Sequence, residues 1–279
     1  MDPLIGAILA LSAAAVWGGA DFCGGLASRR SSQYHVVVLS AFSGLLLLVV
    51  AALLRQEAFP DLPGIAWSVL AGVTGGLGIA ALYRALAIAP AAVVAPTAGV
   101  IGAVLPVLVS LLTQGVPPYT GLAGFGLAFV GIYTVAGDSK ATTPASRKGL
   151  LLAFLAGIGF GGFFTSLGQV SGELVFTPLI ITRSVTMLTG LLLVRLVRLP
   201  LPVPLRNPTA LLAGLLDAGG NLLYILALQY TRLDISAVLG SLYPASTVLL
   251  AALLLKERIS LRQGLGVLAC LGAVVLITL

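Results

Sequence analysis

Charge is scarce in this chain: only 9% of its 279 residues are Asp, Glu, Lys or Arg. A soluble domain carries about 25%, so there is too little polar surface to face water all round, and a soluble globular protein is excluded. Histidine is reduced to one residue, and the two cysteines, Cys23 and Cys270, lie far apart, in or beside apolar runs. A metal centre built from clustered His and Cys ligands is therefore not expected. No G-x-x-x-x-G-K-[ST] run occurs, which argues against direct use of ATP. A membrane-embedded enzyme would need a nucleophile–base pair or a metal cluster, and the sequence offers neither, so neither catalysis nor a cofactor is expected. The net charge of +6 does not call for nucleic acid, because cytoplasmic loops of membrane proteins are routinely rich in Lys and Arg.

What is present is apolar: 59% hydrophobic residues, 34 glycines and a mean hydropathy of +1.12. About 20 apolar residues at ~1.5 Å rise cross a ~30 Å hydrocarbon core. Ten segments of that kind are delimited by Gly, Pro and charge: 3–26, 35–54, 64–89, 91–112, 118–136, 149–169, 175–197, 207–230, 235–255 and 260–279. Met1 to Phe22 lacks the positive n-region of a signal peptide, so it reads as a first helix. The fold class is thus all-α, a polytopic membrane protein of ten transmembrane helices, with membrane lipids as its solvent.

The two halves match at a shift of about 142–143 residues. Trp17 meets Phe160, Gly18-Gly19 meets Gly161-Gly162, and Ala71-Gly72 meets Ala213-Gly214. This divides the chain into a first five-helix repeat (1–137), a polar linker (138–148) and a second five-helix repeat (149–279). Five is odd, so consecutive copies insert with opposite orientation, and inverted repeats place a substrate site near the midplane between them. Because both repeats lie in one chain, a monomer suffices. Loop charge sets the orientation: Arg29, Arg30, Lys140, Arg147, Lys148, Arg195, Arg198, Arg206, Lys256, Arg258 and Arg262 follow odd-numbered helices, whereas only Arg55 and Arg232 follow even-numbered ones. Odd loops are therefore expected on the cytoplasmic side, of a bacterial inner (plasma) membrane.

Polar residues inside such segments are costly, so each needs a use. Asp217, Asn221 and Tyr224 are spaced four and three apart and share one face of the eighth helix. Asp217 is a candidate for holding a substrate amine or a proton, with Asn221 and Tyr224 supplying hydrogen bonds; the bland alternative is a polar cluster that only ties helices together. Its repeat counterpart is Gly75, which predicts an asymmetric site. Trp17 and Asp21 lie one turn apart on the first helix, and their counterparts are Phe160 and Phe164. Aromatics facing a cavity suit an apolar or cationic ligand; packed interior rings are the alternative. Arg183, inside the seventh helix, either neutralises a substrate carboxylate or pairs structurally with Asp217 or a carbonyl. Asp21, Asp217 and Arg183 are together the candidate proton or charge sites. Tyr83, late in the third helix, and Tyr243, beside Pro244, are further candidates for the binding surface. Neighbouring Arg84 suits a headgroup. Pro90, Pro96 and Pro244 are candidate hinges, as are Gly75-Gly76 and Gly219-Gly220, which serve equally as packing contacts.

Three stretches resemble a known family. Trp17-Gly18-Gly19 late in helix one is similar to the tryptophan-containing signature of the EamA family, within the drug/metabolite transporter superfamily. So is the Ala87–Pro96 hairpin, and Leu242-Tyr243-Pro244 leading to Lys256-Glu257-Arg258 resembles the family's proline-to-GER segment. The resemblance, closest to aromatic amino-acid exporters, covers nearly the whole chain in its five-plus-five layout. It implies a secondary active transporter, an exporter of a small organic solute such as a neutral or aromatic amino acid, a related metabolite or a drug. The alternatives are a passive channel or lipid scramblase, or an importer of a sugar or choline-like solute.

Overall fold

The computed structural model describes residues 3–89, 91–136, 147–170, 174–203, 206–246, 250 and 261–278. Every element among them is a helix: α1 (Pro3–Arg30), α2 (Gln33–Arg55), α3 (Leu62–Ile88), α4 (Ala91–Thr113), α5 (Tyr119–Ala136), α6 (Arg147–Leu167), α7 (Phe176–Leu196), α8 (Pro208–Leu228), α9 (Leu233–Gly240) and α10 (Leu261–Thr278). Six of these, α1 to α3 and α6 to α8, are long and apolar enough to cross a membrane, and two shorter apolar stretches, Thr97–Thr113 and Tyr119–Thr134, lie in α4 and α5. Side chains such as Leu46, Leu53, Leu112 and Leu188 stand exposed on the outside of the bundle. So much apolar surface suits lipid rather than water.

Helix ends follow local chemistry. α1 runs on past the expected 26 to Arg30, and its last turn holds Arg29 and Arg30, cations that favour the negative end of a helix dipole. Asp61 caps α3 by accepting from the Gly64 N–H at 2.9 Å, and Asn207 caps α8 through Ala210. Pro178 sits in the first turn of α7, where a missing N–H costs nothing, so it does not bend that helix.

The expected ninth segment, 235–255, is not one uninterrupted helix. α9 stops at Gly240, residues 241–242 form a turn, and helix resumes over 243–246. Pro244 is the cause: its ring clashes with the carbonyl four residues earlier, which is that of Gly240. Tighter bonds, Leu242 N–H to Leu239 O at 3.2 Å and Ala245 N–H to Leu242 O at 2.9 Å, stitch the break. Of the other two candidate hinges, Pro96 lies within α4 and its side chain is outside the described residues. Pro90 also falls outside them, as do most of the linker and the Lys256-Glu257-Arg258 segment.

Packing runs mainly across the two halves. α1 lies on α8 and α9, α2 on α7 and α8, α3 on α6 and α7, α4 on α6 and α9, and α5 on α10. Exchanging each helix with its counterpart five places on maps this set onto itself. The glycines matched in sequence explain how the helices come so close. A side chain at Gly214 of α8 would run into Ser40 O and Ser43 Oγ of α2, and one at Gly72 of α3 would meet Thr182 O of α7 at 2.7 Å. Hydroxyls bridge each approach: Ser43 donates to Leu211 O at 2.8 Å, and Thr186 donates to Gly72 O at 3.1 Å. Interfaces in lipid rely on such small residues and hydroxyl bonds.

One cross-half contact has no precedent in the local sequence. The N-cap position of α7 is Val175, which has no side chain able to cap the helix. Glu57, from the α2–α3 loop, does so instead: its carboxylate accepts from the Val175, Phe176 and Thr177 N–H groups and the Thr177 hydroxyl, at 2.7 to 3.1 Å. Because Pro178 has no N–H, these are all the donors from the N-cap through the third residue of the helix, and each is satisfied by a group whose charge suits the dipole. Glu57→Ala is expected to lower stability by about 1–2 kcal/mol, and Glu57→Gln, which keeps an acceptor, by less. Thermal unfolding of the detergent-solubilised variants checks this ordering; equal losses for the two would mean that the carboxylate is not acting as a cap.

Candidate functional site

Five helices and the break after α9 surround one cavity. α1 contributes Trp17 and Asp21; α3, Gly75 and Ile79; α6, Phe160, Phe163 and Phe164; α7, Thr182, Arg183 and Thr186; α8, Asp217 and Asn221; and the helical stretch that resumes after the turn, Tyr243. The space free of atoms, counted with its open mouth, is about 570 Å³. Helical spacing does the positioning. Asp217 and Asn221 stand one turn apart on the buried face of α8, as do Thr182 and Thr186 on α7.

Arg183 and Asp217 form a salt bridge through Nη2 and Oδ2, with side chains 4% and 12% exposed. The Arg183 Nε lies beside Gly44 of α2 and has no hydrogen-bond partner among the described residues. Asp21 faces the same cavity and is near enough to Asp217 for their charges to interact. Among the described residues no hydrogen bond or salt bridge occupies its carboxylate.

The neutral polar groups are mostly committed. The Trp17 indole N–H donates to Asn221 Oδ1 at 2.9 Å, the Tyr243 hydroxyl to Ala95 O at 3.2 Å, and Thr182 and Thr186 to Ser68 O and Gly72 O. The rings form a connected wall. Trp17 lies 5.4 Å from Phe164 and 5.6 Å from Tyr224 between centroids, Phe164 lies 5.0 Å from Tyr224, and Phe163 lies 5.5 Å from Phe164. Gly220 is the seat that lets this wall form, since a side chain there would meet the indole Cδ1 at 2.5 Å. It serves as a packing contact.

Of the residues singled out from sequence, Trp17, Asp21, Phe160, Phe164, Arg183, Asp217, Asn221 and Tyr243 come together around the cavity, and so does Gly75, the counterpart of Asp217. Two others do not line it. Tyr224 is 0% exposed and sits behind the wall, its hydroxyl directed at Phe164 O at 3.4 Å. Tyr83 is also fully buried, packed on Gly24 of α1. Both point into helix–helix contacts because they lie a turn beyond the cavity on their helices. Ile79, Phe163, Thr182 and Thr186 line the cavity without having been singled out. The threonines flank Arg183 at helical spacing, a signal that a face-by-face reading of α7 would have caught.

The family model described as the EamA-like transporter family matches residues 4–137 and again 147–279. This chain belongs to the EamA-like transporter family. The two matches span α1 to α5 and α6 to α10, and the family is one of transporters, which makes the protein an integral membrane transporter. No curated protein matches it. Twenty-nine solved chains do. One, described only as the crystal structure of a protein, is similar over 97% of this chain and 95% of its own, with a TM-score of 0.71 at 16% identity. At that identity the likeness speaks to the fold of the EamA-like chain alone.

Proposed function

We propose that this chain is a secondary active exporter that moves a small organic solute by alternating access of the central cavity. The solute has an apolar or aromatic body and an amino group, the range that includes neutral and aromatic amino acids, related metabolites and drugs. One observation carries the reading: the cavity lies between the two halves, takes side chains from both, and combines an aromatic wall with buried charge. Ligand sites are mostly apolar with a few placed polar groups, and a site at the repeat interface can be exposed to either side when the halves rock. One chain supplies both halves, so the protein works as a monomer, in the inner or plasma membrane, with odd loops cytoplasmic. Membrane lipids and the solute are its only partners; the proposal includes neither nucleic acid nor a cofactor.

Counterflow in proteoliposomes tests the proposal. Vesicles preloaded with a pool of unlabelled amino acids and amines are offered a labelled member of the pool from outside. Transient, saturable accumulation above protein-free liposomes is the expected result. Its absence for every labelled member, from protein shown to be folded, would replace a carrier by a channel or scramblase.

A further inference from the structure

The charged groups of the cavity are Asp21, Arg183 and Asp217, two negative and one positive. Asp217 is taken, because Arg183 is bonded to it. That pairing also takes the cation that a substrate carboxylate would need. Breaking it would leave Asp217 as a buried, uncompensated charge, which is more costly than leaving the pair intact. One carboxylate therefore remains, that of Asp21, with no bonded partner among the described residues. A buried anion needs a counter-charge, and the surfaces around it belong to Trp17, Phe160, Phe163, Phe164 and Tyr243. Aromatic faces attract cations and repel anions. The donors still open to an anion reduce to the Asn221 amide and the Arg183 Nε, which lies against Gly44 of α2 on a guanidinium already paired with Asp217, since the Trp17, Thr182, Thr186 and Tyr243 donors are engaged with protein oxygens.

We infer that Asp21 is the counter-ion for a cationic amine, and that the cavity takes aromatic or apolar amines lacking a carboxylate in preference to zwitterionic amino acids. The inference rests on the transport reading for its physiological sense, but it concerns occupancy of the site and is separable from transport. It moves the amine from Asp217, the residue favoured by sequence alone, to Asp21. It also narrows the solute from amino acids to their decarboxylated relatives and to drugs of the same charge.

Three probes with one ring and different charge decide it: phenethylamine, phenylalanine and 3-phenylpropionate. Binding is read from Trp17 fluorescence in the full chain carrying Trp67→Phe, which leaves Trp17 as the only indole, and exchange is read by counterflow with protein-free liposomes subtracted. Phenethylamine is expected to bind at least tenfold more tightly than phenylalanine, with 3-phenylpropionate at background. Asp21→Asn is expected to remove phenethylamine binding, and Asp21→Glu to retain part of it in protein of equal thermal stability. Phenylalanine binding as well as or better than phenethylamine, or Asp21→Asn binding the amine unchanged, would overturn the inference. Exchange of phenylalanine alone would keep the carrier and discard the cation site. Asp21-dependent amine binding without any exchange would keep the site and discard the carrier.

Discussion

Arg183→Ala is expected to destabilise the folded chain by about 3–5 kcal/mol, the cost of stranding one partner of a buried ion pair. Arg183 is 3% exposed and Asp217 8%, so the carboxylate left behind has little water to turn to. Asp217→Asn strands the guanidinium instead. It is expected to cost somewhat less, because the amide oxygen still accepts a hydrogen bond. Replacing both partners by apolar residues, Arg183→Met with Asp217→Leu, removes the charges together and is expected to restore most of the stability, as such double replacements often do. Chemical denaturation of the four proteins in one detergent reads the pattern. A single variant losing less than about 1 kcal/mol, the scale of a solvated surface pair, would mean that water reaches the pair and that Arg183 is available to a substrate carboxylate. That outcome would favour amino acids over amines as the cargo.

Trp17→Ala is expected to have the second large effect, about 3–5 kcal/mol for emptying a buried aromatic site, together with at least a tenfold loss of solute exchange. The indole is 7% exposed, contacts the rings of Phe164 and Tyr224 and satisfies Asn221. Trp17→Phe separates these roles. It keeps a ring against Phe164 but loses the hydrogen bond, so a loss of about 0.5–1.5 kcal/mol is expected, with exchange largely retained. The two variants are compared by thermal unfolding and by counterflow. If Trp17→Phe falls as far as Trp17→Ala in exchange, the bond to Asn221, rather than the aromatic face, is what the solute needs.

The contrast between Asp217 and Asp21 marks how far the sequence can be read. Asp217 stood out because a carboxylate inside an apolar helix needs a use, and its spacing from Asn221 gave both one face. The spacing argument is local, and Asp217 and Asn221 do line the same cavity. Which of two carboxylates is already neutralised is not local. It depends on Arg183 arriving from another helix, and the sequence admitted an arginine that binds a substrate carboxylate, pairs with Asp217 or bonds to a carbonyl. Tyr83 and Tyr224 failed to reach the cavity for a related reason. Helical periodicity says that residues share a face, whereas the angle and depth at which a neighbouring helix crosses that face decide which turn opens onto space. The Pro244 break, by contrast, follows from a ring with no N–H and needs no partner.

Composition and pattern by themselves determined the environment of this chain and its all-helical class. Burying this much apolar surface with 9% charge leaves a bilayer as the only solvent, and backbone hydrogen bonds are then satisfied only within helices or a closed barrel. They also determined where glycine recurs, because close helix approach in lipid demands it at Gly72 and Gly214. Tertiary structure alone decided the partners: Glu57 on the start of α7, Arg183 on Asp217, and Trp17 on Asn221 across a separation of 204 residues. Electrostatic and hydrogen-bond energies depend on distances of a few ångströms between groups. Those distances are set by how the two halves interlock, which no one-dimensional spacing encodes.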